Sequence, residues 1–251
     1  MSVHAAATEF APGLWVRGIA PPLALADFRV IAFDMDSTLI DIECIDEIAA
    51  AAGRGREVAA ITEAAMRGEL ADFKASLRAR LALLEGVPEA VLAEVYEQRL
   101  HLNPGVERFV AACRDAGLAT LLVSGGFSFF AERVQARLGL DHARSNVLEI
   151  IGGRMTGRTI DQPWGDIVDG AAKRQALLEI CAQTRTEPAR AIAVGDGAND
   201  LPMMAAAGLS IAYHPKPAVQ AQARVSILAG GMDRALDVFD AGALRTIPSA
   251  V

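Results

Sequence analysis

Five short apolar runs recur along the chain, at Arg29–Phe33, Ala119–Val123, Ala191–Val194, Leu209–Ala212 and Val225–Leu228. Each is bounded by Gly, Ser, Asp or Pro, as buried parallel strands are. Between them the apolar period turns helical. Val106, Phe109, Val110 and Cys113 make one i, i+3, i+4, i+7 stripe, and Phe127, Phe130, Ala131, Val134 and Leu138 make another. This alternation predicts an α/β fold, a doubly wound parallel sheet with helices on both faces. The stretch Val147–Ile151, Gly152-Gly153, Arg154–Ile160 departs from it and reads as a β-hairpin with the glycines at the turn.

One segment breaks the alternation. Residues 41–101 hold no strand candidate, only helical signal over Glu43–Ala52, Glu57–Arg67, Ala71–Leu84 and Pro88–Arg99, punctuated by Gly53, Gly68, Gly86 and Pro88. An ordinary crossover is usually one helix, so this is expected to be a small helical-bundle cap. Its insertion where the first strand leaves the sheet makes it a lid over a site. The expected organisation is an N-terminal arm at 1–27, rich in proline and without sustained period, and a catalytic core at 28–40 and 102–240. The cap occupies 41–101 and a C-terminal tail 241–251.

Composition limits what such a fold can do. With 251 residues and a formal net charge of −7, the chain lacks the basic balance that a large nucleic-acid footprint demands. A small phosphate ligand stays open, because a few placed cations and backbone amides suffice for it. Cys44, Cys113 and Cys181 are far apart with no CxxC pair, so buried free thiols in a reducing compartment are expected. The N-terminus lacks a basic region, and its apolar stretch Ile19–Ala26 is broken by Pro21 and Pro22. No run approaches the ~18 apolar residues of a membrane span. The chain reads as cytoplasmic, with a small-molecule substrate, no nucleic-acid or membrane partner, and a homodimer compatible with its size.

Ligands of open α/β sheets bind outside the carboxyl ends of the strands. Three strand ends here carry unusual residues: Asp34-Met35-Asp36-Ser37-Thr38, Ser124-Gly125-Gly126, and Gly195-Asp196-Gly197-Ala198-Asn199-Asp200. One Asp after a strand is most often a helix cap. Four carboxylates converging from two strands are costly unless a cation neutralises them. Oxygen donors without His or Cys select Mg2+ over zinc. Ser37, Ser124 and the glycine-flanked amides can cradle phosphate oxygens, and Lys173 would add a point charge. Asp34 and Asp36, two apart on an extended backbone, point to one side. One can attack phosphorus while the other handles the leaving group's proton.

With Phe33 and Leu39 around the first motif, then Ser124-Gly125-Gly126, Lys173 and Gly195–Asp200, the chain resembles the haloacid dehalogenase superfamily through its four motifs in order. More narrowly, Glu43-Cys44-Ile45-Asp46-Glu47, Phe73 and Ser76-Leu77-Arg78-Ala79-Arg80 resemble the branch that hydrolyses phosphoserine, and the likeness runs from about Phe28 to Phe239. The resemblance implies hydrolysis of O-phospho-L-serine to serine and phosphate, the last step of serine biosynthesis, through a phosphoaspartyl enzyme. It implies Asp34 as nucleophile and Asp36 as general acid and then base. Asp34, Asp196 and the Asp36 backbone carbonyl would hold Mg2+, with Asp200 in support. Ser124, Gly125, Lys173 and Asn199 would bind phosphate, while Glu43 and Arg80 read the ammonium and carboxylate of the amino acid. That assignment suits a carboxylate facing an ammonium and a guanidinium fork facing a carboxylate.

Two departures qualify the likeness. The N-terminal regulatory domain of many relatives has no room in the 27 or so residues ahead of the core, so feedback through one is not expected. The loop Asp161–Asp166 is longer than a minimal version needs and has no assigned role. The competing readings are transfer from phosphoserine to another hydroxyl, a phosphatase for another small ester, and a non-enzymatic receiver-like module. The last has no use for a second acid two residues on, nor for a lid.

Overall fold

The structure, a computed structural model, describes residues 6–66 and 72–240. The expected tail at 241–251, Gly68, and the segment ends at Arg67 and Ala71 lie outside the described residues. The strands are β1 (Ala7–Ala11), β2 (Leu14–Arg17), β3 (Val30–Phe33), β4 (Ala119–Phe127), β5 (His142–Ile151), β6 (Arg154–Ile160), β7 (Ala191–Gly195), β8 (Leu209–Tyr213) and β9 (Val225–Ile227). Their order across the sheet is β1-β2-β9-β8-β7-β3-β4-β5-β6. The six strands from β9 to β5 pair in parallel, and the pairs β1/β2, β2/β9 and β5/β6 are antiparallel.

Strand β3 is the centre from which the chain winds both ways, first to β4 and β5, then back to β7, β8 and β9. That reversal opens a crevice at the carboxyl ends of β3 and β7. Alternation along β3 explains the two layers. Ile31 and Phe33 join a core with α5 (Val106–Asp115) and α6 (Ser128–Leu138), while Val30 and Ala32 join a second core with α7 (Gly170–Gln183) and α8 (Leu201–Ala206). All four residues are fully buried, as a strand covered on both faces requires.

Residues 1–27, read as an arm, carry the hairpin β1–β2, which pairs β2 with β9 and so covers that edge of the sheet. Leu14 and Val16 of the hairpin are buried in the core and Ala11 packs half-buried against it, too few residues to display a period. Its place depends on backbone pairing with a strand some two hundred residues on, which is invisible locally.

Between β3 and β4 lie α1 (Cys44–Ala51), α2 (Gly55–Met66), α3 (Phe73–Ala82) and α4 (Ala90–Gln98). Ile45 and Ile48 of α1, Val58 of α2, Leu77 and Leu81 of α3, and Leu92 and Val95 of α4 form the buried faces that hold these helices together. The two chain crossings between helices and sheet run side by side. Asp41 N–H donates to the His101 carbonyl at 3.0 Å, and Asn103 Nδ2 donates to the Thr38 and Ile40 carbonyls at 2.9 Å each. Asp166, in the loop after β6, meets α3 from the other side: it accepts from Lys74 Nζ at 2.8 Å and from Arg78. The Lys74 hydrogen bond holds its carboxyl down at about 2. The long loop therefore ties the helices to the sheet. Cys44, Cys113 and Cys181 are buried free thiols. No helix among the described residues is long and apolar enough to cross a membrane.

Candidate active site

The first motif leaves β3 in a tight turn. Asp34 N–H still completes the sheet by donating to the Val194 carbonyl at 2.9 Å, and Thr38, Leu39 and Ile40 all donate to the Met35 carbonyl. Ser37 turns the chain with φ of +57°, a conformation that costs a non-glycine residue about 1–3 kcal/mol and collects at functional sites. Its hydroxyl donates to Glu43 Oε1 at 2.9 Å, which ties the turn to the start of α1. The N–H of Cys44, the first residue of α1, donates to Asp36 Oδ1 at 3.3 Å.

Lys173 lies at the bottom of the site with no exposed surface, rather than on a solvated helix face. The Asp169 side chain caps α7, accepting from Ala172 N–H at 2.9 Å, and so delivers Lys173 one turn into the helix. Its Nζ stands 2.7 Å from Asp34 Oδ1 and 2.7 Å from Asp200 Oδ1. Burial alone would pull this ammonium down, but Asp200 and Asp34 hold it above its ordinary value. Asp200 Oδ2 in turn accepts from the N–H groups of Asp196, at 3.2 Å, and Gly197, at 3.0 Å. Asp200 thus shapes the loop after β7 that presents Asp196. Thr38 Oγ1 donates to Asp196 Oδ1 at 3.4 Å.

One carboxylate oxygen from each of Asp34, Asp196 and Asp200 lies within 4.8 Å of the others, and all three residues are buried. Asp36 is outside this group; its carboxylate turns to Cys44 and Glu43. Burial and repulsion from Asp200 and Asp196 raise Asp34 well above the usual carboxylate range, against the pull of Lys173. Burial raises Asp196 to about 6 and, with Glu43 beside it, Asp36 to about 7. Fully ionised, the three carboxylates against one ammonium would carry about two excess negative charges, which a bound proton or a cation must offset. An oxygen-only donor set of that charge fits a hard divalent cation and lacks the imidazole or thiolate that zinc prefers.

The second motif ends β4 beside these groups. Ser124 Oγ accepts from Gly126 N–H at 2.8 Å, bending the backbone into a small cradle. Any side chain there would displace the site, since a Cβ on Gly126 would meet Asp36 Oδ2 at 2.6 Å, and one on Gly125 the Phe73 ring at 2.8 Å. A cavity of about 850 Å3 opens over the cluster, lined by Asp34, Asp36, Gly125, Asp196 and Asn199 and also by Glu43 and Arg80. Seven of the site residues read from the sequence thus line one space, while Ser124 and Lys173 do not reach its wall and lie buried behind it, Lys173 against Asp34 and Ser124 Oγ against Gly126 N–H. Arg80, in the last turn of α3, has a side chain 12 % exposed, with its Nη1 3.9 Å from Asp46 Oδ1.

Two residues near the site escaped the sequence reading. Asn146, on β5 and buried, donates through Nδ2 to the Gly125 carbonyl at 2.7 Å and accepts at Oδ1 from Val168 N–H at 2.8 Å. It pins the cradle to the chain that leads into α7. The available signal was weak, an asparagine directly ahead of the largely apolar run Val147–Ile151, a residue type depleted in strands. Lys216, which also lines the cavity, follows β8 within Pro215-Lys216-Pro217.

A doubly wound sheet with an aspartate pair after its central strand, a buried lysine and a second acidic loop defines a phosphoryl-transfer core of one kind. The haloacid dehalogenase-like hydrolase profile matches residues 28–208, and the chain belongs to that family. It is 63 % identical over 232 residues to the phosphoserine phosphatase of Albidiferax ferrireducens, covering 92 % of this chain and 98 % of that one. A solved probable phosphoserine phosphatase from Vibrio cholerae superposes with a TM-score of 0.78 at 41 % identity, over 94 % of this chain and 72 % of the other. A phospho-aspartyl intermediate analogue of phosphoserine phosphatase superposes with a TM-score of 0.77 at 35 % identity, over 85 % of this chain and 99 % of the other.

Proposed function

We propose that the protein hydrolyses O-phospho-L-serine to serine and phosphate with Mg2+ as its cofactor, in the closing step of serine biosynthesis. The observation that carries this reading is a single cavity that joins Asp34, Asp36 and Asp196 to Glu43 and Arg80. The 63 % identity to a phosphoserine phosphatase over nearly its whole length supports it.

Asp34, Asp196 and the Asp36 carbonyl would hold Mg2+, with Asp200 orienting the loop. When bound, the ion offsets negative charge on the phosphoryl oxygens and on the carboxylates around it. The remaining chemistry belongs to the chain. Lys173 Nζ and Met35 N–H both bind Asp34 Oδ1, which leaves Oδ2 as the nucleophilic oxygen. That oxygen attacks phosphorus, the ester P–O bond breaks, and the serine oxygen takes a proton from Asp36. Water then attacks the phosphoaspartate while Asp36 takes the proton back, and the Asp34–phosphorus bond breaks to release phosphate. A carboxyl near 7 is balanced between acid and base at neutral pH, which suits both halves. Ser124, Gly125, Lys173 and Asn199 bind the phosphate end. Residues 41–101 act as a cap on the core of 28–40 and 102–240, and carry Glu43 and Arg80 to the amino-acid end.

Phosphate release from a panel of phosphorylated metabolites, with Mg2+ and with excess EDTA, tests the reading. Phosphoserine should give the highest kcat/KM, and EDTA should remove activity that Mg2+ restores and Ca2+ restores poorly. Calcium takes more ligands at longer distance and misaligns Asp34 against phosphorus. Indifference among esters, or full activity in EDTA, would refute it.

Thermal melts give a second check. Asp36 and Asp196 bind their protons more tightly folded than unfolded, where a carboxyl titrates near 4. Their contribution to metal-free stability is present below about pH 4 and is lost as pH rises through about 6 for Asp196 and about 7 for Asp36. Mg2+ competes with those protons, so the Tm gain from saturating Mg2+ should be larger at pH 8 than at pH 5. The difference should reach several degrees, since 1 kcal/mol moves Tm by about 2–4 °C in a chain of this size. An equal gain at both pH values would contradict a site built on these carboxylates.

A further inference from the structure

The walls of the cavity carry an imbalance of charge. Among the described residues, six carboxylates line it, those of Asp34, Asp36, Glu43, Asp46, Asp72 and Asp196, against two cations, Arg80 and Lys216. The buried Lys173 stands 2.7 Å from both Asp34 and Asp200, so its charge is already offset before a phosphate arrives. Arg80 is mostly covered and leans on Asp46. A phosphate dianion therefore approaches an acidic mouth on a chain whose net charge is −7, and both terms oppose it.

Lys216 differs from the other cations in how it is held. Its backbone is pinned, with N–H donating to the Asp196 carbonyl at 3.1 Å and Pro215 and Pro217 fixing φ on either side. Its side chain is loose, 65 % exposed, with Nζ 3.6 Å from Asp196 Oδ2 and so outside hydrogen-bond range. The anchor holds the Cα beside the acidic loop, while a flexible four-carbon stem lets the ammonium leave Asp196 for an arriving anion.

We propose that Lys216 is a further substrate-binding residue that draws the phosphate group into the cavity and holds it there, by exchanging its contact with Asp196 for phosphate oxygens. The proposal rests on the phosphatase reading above. It concerns the phosphate end that all substrates share, so its signature differs from that of Arg80. Loss of Lys216 raises KM for every phosphate ester alike, whether or not the ester bears a carboxylate.

The experiment compares wild type, Lys216→Gln and Lys216→Arg, all saturated with Mg2+. The readouts are kcat and KM for phosphoserine and for a small aryl phosphate, and calorimetric binding of inorganic phosphate. Lys216→Gln should raise both KM values and the phosphate Kd about tenfold, the scale of one charge-assisted hydrogen bond, with a much smaller fall in kcat. Its kcat/KM should also rise more steeply with ionic strength than that of wild type, because salt then screens a larger net repulsion, and Lys216→Arg should recover most of the loss. If Lys216→Gln leaves KM and phosphate Kd unchanged, or lowers only the Mg2+ concentration needed for half activity, Lys216 is no more than a partner of Asp196 and the proposal falls. A wild type that binds phosphate through Lys216 yet fails to hydrolyse phosphoserine would instead sink the substrate reading alone.

Discussion

Asp34→Asn is expected to abolish phosphate release, lowering turnover by roughly 10^4- to 10^6-fold, the range seen when a nucleophile or its activating partner is removed. The amide is a poor nucleophile, and the change also removes one of the three charges in the carboxylate cluster. Folding should survive, because Lys173 keeps its 2.7 Å contact with Asp200 and the substituted side chain remains nearly isosteric. Asp36→Asn should behave differently. Attack by Asp34 needs no proton from it when the leaving group is good, but breakdown of the intermediate needs a base, so phosphoenzyme accumulates. Intact-protein mass spectrometry after rapid mixing with an aryl phosphate separates the two variants. Phosphoenzyme should be absent in Asp34→Asn and enriched in Asp36→Asn. Rapid turnover by Asp34→Asn would end the aspartyl mechanism, whatever the substrate.

The second large effect tests the substrate. Arg80 is mostly desolvated and shares the cavity with Glu43, whose carboxylate is oriented by the Ser37 hydroxyl. Truncating a desolvated charged partner costs about 2–5 kcal/mol, or roughly 30- to several thousand-fold in kcat/KM. Arg80→Ala should lose that much on phosphoserine. On phosphoethanolamine, which lacks the carboxylate, it should change little. Glu43→Gln should weaken both of these amines while sparing an aryl phosphate, since Asp34, Asp36 and Lys173 are untouched. Measured as kcat/KM for three esters, the pattern distinguishes recognition from collapse, because a misfolded protein loses all substrates equally. Equal losses across the three would make Glu43 and Arg80 structural and remove the particular support for phosphoserine.

Much of this was legible in the residue order because it is local. The apolar runs at β3, β4, β7, β8 and β9 are short, β-prone and sharply ended, and each lies within a residue or two of its expected span except β4, which continues to Phe127. Asp34 and Asp36 are two apart at the end of a strand that burial on both faces makes central. The helix ends at Gly53 and around Gly86 and Pro88 were legible because glycine takes the positive φ that leaves a helix and proline cannot continue one.

The sequence by itself therefore determined the succession of helices and of the strands after the N-terminal hairpin, the oxygen chemistry of the strand ends and the place of the inserted helices, all of which depend on neighbours within a few positions. Tertiary structure alone decided what those residues experience. Lys173 becomes a buried bridge only because Asp200, 27 residues on, and Asp34 close on it. Asn146 pins Gly125 from 21 residues away, and Asp166 reaches Lys74 across 92. The elevation of Asp36 to about 7 arises from burial and from Glu43. Such contacts carry no periodicity, and a carboxylate's proton affinity depends on the solvent and charges around it in space, which the chain acquires only when it folds.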